Sequence, residues 1–452
     1  MNNTNTNTNN THTHTHTHTN QNTHTITNTN NNTIISTSGD NASKTIHINT
    51  KLFQPSVWDD FPMKRNNQVN NLIVQSDFEL DLPEKIKLPK GFQFIDLKVS
   101  EHLERITSFL NEHYVDSGVV YTQEYIDFLF KSPRKHFRKL KSCSIDYWLI
   151  GIEEISTGIL YGFIGARPLQ YFIDGRLVDG MIVDCMCVAK SLRGKRMSVV
   201  LMKEMYKRLK HIENDCMTLF CTSTDLPFQP LTAFSKLLYR DIISNKIMSE
   251  SEKEILNDLI KKRDNEQDVT LIKQLNNQIA ELQNDSSNIN CTQDIHQIRL
   301  ANKRDIDDLM KIYNNYNKKY RFFRIYNKKE FEHFFMPRKD MVYTYLLTNS
   351  QGEVKDFITL HVFYSNQGSK IAYVYYVSFI NDKLLELFMK NIMYILKEND
   401  VERVLCYEWL GVSSVLSDKL QFKPLGVSKA FYAFNYNTKS IGSNECNIGY
   451  FL

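Results

Sequence analysis

No run of this chain approaches the ~18 uncharged apolar residues that a membrane-spanning helix requires, and its first residues lack the apolar core of a secretory leader. Cysteine is sparse for the length, eight in 452 residues, and no two form a Cys-x-x-Cys pair. Cys185 and Cys187 stand one residue apart with no histidine at zinc-ligand spacing. Neither a disulfide scaffold nor a metal site is therefore expected, and the cysteine usage suits a reducing, cytoplasmic setting. An excess of one charge is missing too: 55 Lys and Arg against 51 Asp and Glu leave a net +4, which argues against a protein that coats nucleic acid. Neither glycine pattern of the common nucleotide-binding loops, Gly-x-x-x-x-Gly-Lys-Ser/Thr or Gly-x-Gly-x-x-Gly, occurs. What remains is a chain that is 42% hydrophobic, long enough for two or three domains with sizeable cores.

Residues 1–45 are read as an unstructured tail. Residues 1–34 are almost wholly Asn, Thr and His, with too few apolar groups to offset the entropy of ordering them. His12, His14, His16 and His18 fit either a weak divalent-metal binder or a repeat expansion without chemistry, and composition favours the second. Residues 46–87 stay polar with scattered anchors at Leu52, Phe53, Val57, Trp58 and Phe61, the pattern of an arm laid over a domain. Folded structure is expected from Leu88-Pro89-Lys90-Gly91-Phe92 onward.

An internal repeat follows. A shift of 203 positions brings Ile95, Leu97, Leu103, Ile106 and Asn111 onto Ile298, Leu300, Ile306, Leu309 and Asn314. In each copy a short strand enters a helix with apolar residues three and four apart, first Leu103, Ile106, Phe109, Leu110, then Ile306, Leu309, Ile312, Tyr313. The reading is a duplicated α/β unit, residues 88–245 and 293–452. Between the copies, residues 246–292 are expected to be a helical insertion: Ser249-x-x-Glu252 is a capping box, and Ile272, Leu275, Ile279 and Leu282 recur with helical spacing.

The stretch richest in chemistry runs from Val183 to Arg196. An apolar strand ends at Val188, a basic loop with Gly194 follows, and then comes a helix with Val199, Met202, Met205, Tyr206 and Leu209 on one side. Helix N-termini offer free N–H groups and positive dipole ends to anions, and Arg193, Lys195 and Arg196 add charge. On the residues alone this is either a phosphate seat or a solvated basic turn.

The stretch resembles the pyrophosphate loop of GNAT-type acyl-CoA transferases, and more closely the N-myristoyltransferase signature Asn-Phe-Leu-Cys-Val-His-Lys-x-Leu-Arg-Ser-Lys-Arg, through Cys187-Val188, Lys190, Leu192-Arg193 and Lys195-Arg196. Leu88-Pro89-Lys90-Gly91-Phe92, Leu110-Asn111-Glu112-His113-Tyr114-Val115, Gly352-Glu353-Val354-x-Asp356-Phe357 and Ala372-Tyr373 resemble further stretches of that family in the same order. The resemblance implies an α/β fold of tandem, pseudo-twofold GNAT-like halves with mixed sheets flanked by helices. It implies an acyltransferase, a monomer, that moves the acyl group of myristoyl-CoA to the N-terminal glycine amine of proteins. Myristoyl-CoA is then a co-substrate, and no prosthetic group is needed.

By the same resemblance the C-terminal carboxylate of Leu452 accepts the amine's proton, and the backbone amides of Cys185 and Met186 hold the oxyanion. A buried structural thiol is the reading for the Cys185 side chain, since no histidine base is evident beside it. CoA falls to Cys187, Val188, Arg193, Gly194, Lys195, Arg196 and Ser198, with Phe53 and Trp58 of the arm covering it. The peptide falls to Tyr114, Asp116, Tyr121, Thr222 and Tyr376.

Several peptide-side features depart from the family's pattern. The acidic loop is cut to Asp116-Ser117-Gly118, the late Gly-Asp-Gly is replaced near Leu425-Gly426-Val427, and Leu237-Leu238-Tyr239-Arg240 lacks the family's His. Thr222 or Cys221 matches the family's strand-end Thr, and the tail after Gly449 is one residue shorter. A peptide preference with less demand for basic residues is expected. The alternatives are a catalytically impaired acyl-CoA or peptide-binding module of the same fold, and an acyltransferase with a different amine acceptor.

Overall fold

Side-chain caps mark where several helices begin. Thr122, Asn327 and Asn381 each accept a hydrogen bond from the backbone N–H three residues on, satisfying a donor that the first helical turn leaves over. The protein is described by a computed structural model covering residues 85–114, 118–131, 148–212, 217–226, 229–242, 297–379, 381–434, 436 and 438–449. It also covers the backbone of four strands within residues 13–49 and the helical positions Asp258, Lys261, Lys262 and Gln274. Phe53, Trp58, Asp116, Leu452 and the rest of the 246–292 insertion lie outside the described residues.

Residues 1–61 and 62–452 are two separate units. In the first, β1 (Thr13–His16), β2 (Thr23–Thr29), β3 (Asn32–Ser38) and β4 (Lys44–Asn49) pair in order as an antiparallel sheet. Composition argues for an unstructured tail, yet here strands pair. The physical reason is local: threonine is β-branched and recurs with the period of two that a strand needs.

The second unit begins with β5 (Phe92–Asp96), α1 (Val99–His113), β6 (Val119–Val120), α2 (Gln123–Phe130), β7 (Leu149–Glu154), β8 (Leu160–Ile173), β9 (Arg176–Val188), α3 (Met197–Ile212), β10 (Met217–Thr222) and β11 (Ser235–Asp241). The same order then recurs. It runs β12 (Gln297–Leu300), α4 (Ile306–Asn317), β13 (Phe322–Ile325), α5 (Lys328–Phe335), β14 (Val342–Thr348), β15 (Val354–Ser365), β16 (Lys370–Val377), α6 (Asp382–Lys397), β17 (Val401–Tyr407) and β18 (Lys423–Phe434), with β19 (Cys446–Asn447) appended. All these strands form one mixed sheet whose main path is β12-β14-β15-β16-β17-β11-β18-β10-β9-β8-β13-β19.

The two copies exchange strands reciprocally. β11 of the first pairs β17 of the second, β18 of the second pairs β10 of the first, and β11 and β18 pair with each other between them. A second exchange has the same symmetry: β6 pairs β15, and β13 pairs β8. The fold is thus a mixed α/β sheet flanked by helices, with a pseudo-twofold relation visible in its pairing.

Helical spacing predicted the buried faces well in α1 and α4. Ile106, Phe109 and Leu110 are buried, as are Ile306, Leu309 and Tyr313. Leu97 and Leu300, matched by the repeat, differ, one fully buried and the other 45% exposed. In α3 the buried face overlaps the expected one, sharing Val199, Met205 and Leu209 with it. Met197, Leu201, Met205 and Leu209 pack with Ile150, Ile164 and Met181 of the sheet and with Trp148 just before β7, while Met202 is only partly buried. No helix among the described residues is long and apolar enough to cross a membrane.

Candidate active site

β9 and β10 run parallel and pair only where Met217–Leu219 face Gly180–Ile182. Beyond Ile182 the two strands no longer pair, and a gap opens between them. On its other edge β9 pairs β8 with an irregularity: Phe163 faces Cys187 and Gly165 faces Asp184, so Ile164 alone stands opposite both Cys185 and Met186. This is a β-bulge, which disrupts the ladder locally and leaves an extra residue unpaired. Cys185 takes a left-handed φ of 55°, sparsely populated for a residue other than glycine. The bulge therefore offers the Cys185 and Met186 backbone beside the gap.

The chain next forms a single turn over Lys190–Leu192 and enters α3 through Gly194 (φ 75°) and Arg196 (φ 60°). A cleft of about 250 Å³ lies here, lined by Tyr114, Met186, Cys187, Val188, Leu192, Arg193, Gly194, Arg196, Met197 and Ser198. It combines an apolar wall with the first-turn amides of α3, which have no intrahelical partner, and with basic side chains. An anion at its mouth would meet the positive end of the helix dipole. Arg193 also ties the loop down, donating from Nε to Val188 O and from Nη2 to His113 O, which fixes Tyr114 beside the bulge.

Of the residues expected at the cofactor, Cys187, Val188, Arg193, Gly194, Arg196 and Ser198 line one cleft with Met186, and Lys195 lies outside its lining, exposed. Cys185 abuts the cleft from below; burial pushes its thiol well above the usual pKa, with the Asp184 charge adding to the effect, so it is no ready nucleophile. Tyr114 lines the cleft and Tyr121 is buried behind it, with ring centroids 6.1 Å apart. Thr222 ends β10 on the far side of the gap, where its hydroxyl accepts from Thr224 N. Tyr376 is elsewhere. It is 1% exposed in the aromatic core of the second copy, packed on Tyr313 and Phe357.

Sequence reasoning passed over three residues beside the bulge. Asp184 and Arg167 form a buried ion pair, with Nε and Nη2 of Arg167 reaching Oδ2 at 2.8 and 2.7 Å. Burial raises the pKa of Asp184, and the Arg167 charge opposes that rise. Tyr125 on α2 is buried too, its phenol raised in pKa chiefly by burial, with Cys185 and Asp184 adding to the rise. The signal was present: opposite charges in consecutive apolar strands, at positions where neither has solvent to face.

The chain also matches known proteins. Residues 75–233 match the N-terminal domain, and residues 268–448 the C-terminal domain, of the family described as myristoyl-CoA:protein N-myristoyltransferase. A glycylpeptide N-tetradecanoyltransferase of Plasmodium falciparum is 26% identical over 429 residues, spanning 90% of this chain and 95% of its own. That of Saccharomyces cerevisiae is 26% identical over 405 residues, covering 80% of each. Saccharomyces cerevisiae N-myristoyltransferase solved with bound myristoyl-CoA shares the fold, with a TM-score of 0.68 at 20% identity over 88% of this chain and 93% of that one. Both domain models match in the order and at the places where the two copies fold, and the chain belongs to the myristoyl-CoA:protein N-myristoyltransferase family of acyltransferases.

Proposed function

We propose that this protein transfers the acyl group of myristoyl-CoA to the N-terminal glycine amine of proteins, with the carboxylate of Leu452 as proton acceptor. The observation that carries the reading is the bulge at Cys185–Met186, set beside a basic strand–loop–helix cleft in a chain of this family. A CoA pyrophosphate suits the loop from Arg193 to Ser198, and the acyl thioester then reaches the bulge.

The chemistry follows from what aminolysis needs. A peptide α-amine has a pKa of ~7.7–8, so much of it is protonated at neutral pH and must lose a proton before attack. The neutral nitrogen adds to the thioester carbonyl carbon. Charge develops on the carbonyl oxygen, where the Cys185 and Met186 amides act as preorganised donors. Collapse of that intermediate breaks the C–S bond and forms the amide, and the proton that the nitrogen sheds passes to the departing sulfur, so that CoA leaves as the thiol.

Support for the terminal base comes from the tail. The position of a Gly449 Cβ would lie 2.4 Å from the Tyr375 ring, so the chain is pressed onto that side chain. Tyr375 and Cys185 both act electrostatically on Tyr125, and the three residues after Gly449 span at most ~11 Å. An apolar setting would raise the pKa of the carboxylate and make it a better proton acceptor. The shortened Asp116-Ser117-Gly118 loop supports a peptide preference with little demand for basic residues.

The test is incubation with myristoyl-CoA and a glycine-initiated peptide, with the amide product read by mass spectrometry. A chain lengthened past Leu452 is expected to lose turnover and keep myristoyl-CoA affinity. Absence of product from the unaltered protein overturns the reading.

A further inference from the structure

The four-stranded sheet of the first unit sorts its residues by face. Residues directly opposite in an antiparallel pair share a face, and neighbours along a strand alternate. The register sets His14 opposite Ile26, Ile26 opposite Ile35 and Ile35 opposite Ile46, one row across all four strands. The next row on that face is His16, His24, Thr37 and Lys44. The other face takes every threonine of β1 and β2, together with Ile34 and His47. Three of the four histidines in these strands therefore fall on one face, at the β1 edge.

Strand geometry fixes how close they are. His14 and His16, two apart on β1, have Cα atoms ~6.8 Å apart from the rise of a strand. His24 lies directly opposite His16, at about 4.5–5.5 Å between Cα atoms, and diagonal to His14, at about 7–8 Å. Read along the chain, the alternating run offers neighbours of one strand alone, and composition favours a repeat without chemistry. Pairing adds what composition lacks, a third histidine from a second strand at the same corner.

The donors present identify the ligand. From Thr13 to Asn49 the sequence has no cysteine, no methionine and a single acid, Asp40. Calcium and magnesium need oxygen ligands, and Cu(I) prefers thiolate or thioether. Neutral imidazole suits Zn²⁺, whose tetrahedral shell water can complete beside three histidines. We infer that the juxtaposition of His14, His16 and His24 is a Zn²⁺ site on the N-terminal sheet. A sheet this poor in apolar residues has little else to hold its edge, so the ion fastens β1 to β2, and binding is coupled to the pairing of the two strands. The inference is independent of the acyl-transfer reading.

The experiment titrates Zn²⁺ into the full chain in competition with a chromophoric chelator, and one tight equivalent is expected. Co²⁺ bound in its place should show the visible bands of a tetrahedral ion and no thiolate charge-transfer band, which separates the site from any cysteine. Histidines are then replaced singly by threonine, the residue they alternate with and a good strand former, so that pairing is preserved. H14T, H16T and H24T should each weaken the tight equivalent by about tenfold or more, whereas H47T, on the opposite face, should leave it within about twofold. One alanine inserted between Thr15 and His16 keeps every histidine but moves His14 to the other face, and should weaken binding as much as H14T does. A silent H24T overturns the inference, since a histidine run alone would then explain the binding. Equal losses in H24T and H47T overturn it as well, and so does an unaltered chain with no tight equivalent.

Discussion

The two copies of the α/β unit share an element order and even a bulge, but only one is built as a site. In the first, the bulge falls at Cys185–Met186, just past the last β9–β10 pair. In the second, Thr359 faces Tyr376 and Leu360 faces Val374, so Tyr375 is the extra residue, two positions beyond the last β16–β17 pair. The first bulge opens toward a cleft. The second is filled: Tyr375 is 1% exposed, its hydroxyl meets that of Tyr326 at 2.6 Å, His361 stacks on its ring, and Gly449 presses on it. The helices that follow differ in the same sense. α6 supplies its own anion-like cap, with Asn381 Oδ1 accepting from Leu384 N and Asp382 in its first turn. α3, of equal length, has no acid in its first turn and follows Arg193 and Arg196. A duplicated scaffold has kept its strand–bulge–loop–helix geometry twice and spent it once on a ligand and once on packing.

The comparison can be broken by acting on matched positions. The largest effect is expected from Y375A, which empties a packed ring position: a loss of about 3–5 kcal/mol of stability, read by denaturant unfolding. A small loss would mean that the second bulge is also an open site. M186P removes one proposed oxyanion donor from the first bulge. It should lower kcat by about 10²–10³-fold while myristoyl-CoA affinity, which also reports folding, stays within about twofold. Unchanged kcat would dismiss the bulge as an oxyanion site. The smallest effects belong to the helix starts. R196A should weaken myristoyl-CoA binding by about tenfold, as expected for one lost charge-assisted contact, with little change in melting temperature. N381A should cost about 1 kcal/mol of stability and leave myristoyl-CoA affinity alone. The comparison fails if the two substitutions exchange their effects.

Part of this was legible beforehand because it is local. The strand-to-loop-to-helix run from Val183 to Leu209 was readable from its period and its basic residues, as were the buried faces of α1 and α4. The reach of local reading ended at α3. Met202 was expected inside and is only half buried, while Leu201 is fully buried and Glu204 and Arg208 are buried as a pair beside it. Which face of a helix turns inward depends on the sheet beneath, and spacing alone leaves that orientation open. Tyr376 was expected at the peptide and lies in an aromatic core, because register decides which of two adjacent tyrosines faces which way.

By itself the sequence determined where elements begin and end, the duplication, and the basic loop that precedes α3. These depend on residues a few positions apart, whose periodicity and capping act before any tertiary contact forms. Only the tertiary structure decided that the copies exchange strands, that Cys185–Met186 bulge beside a gap, and that Asp184 and Arg167 meet there. Those facts rest on register and burial, which link residues far apart in the chain: Arg167 and Asp184 bond across two strands. A charge inside an apolar strand is visible in any sequence. Which buried partner it finds depends on the completed packing.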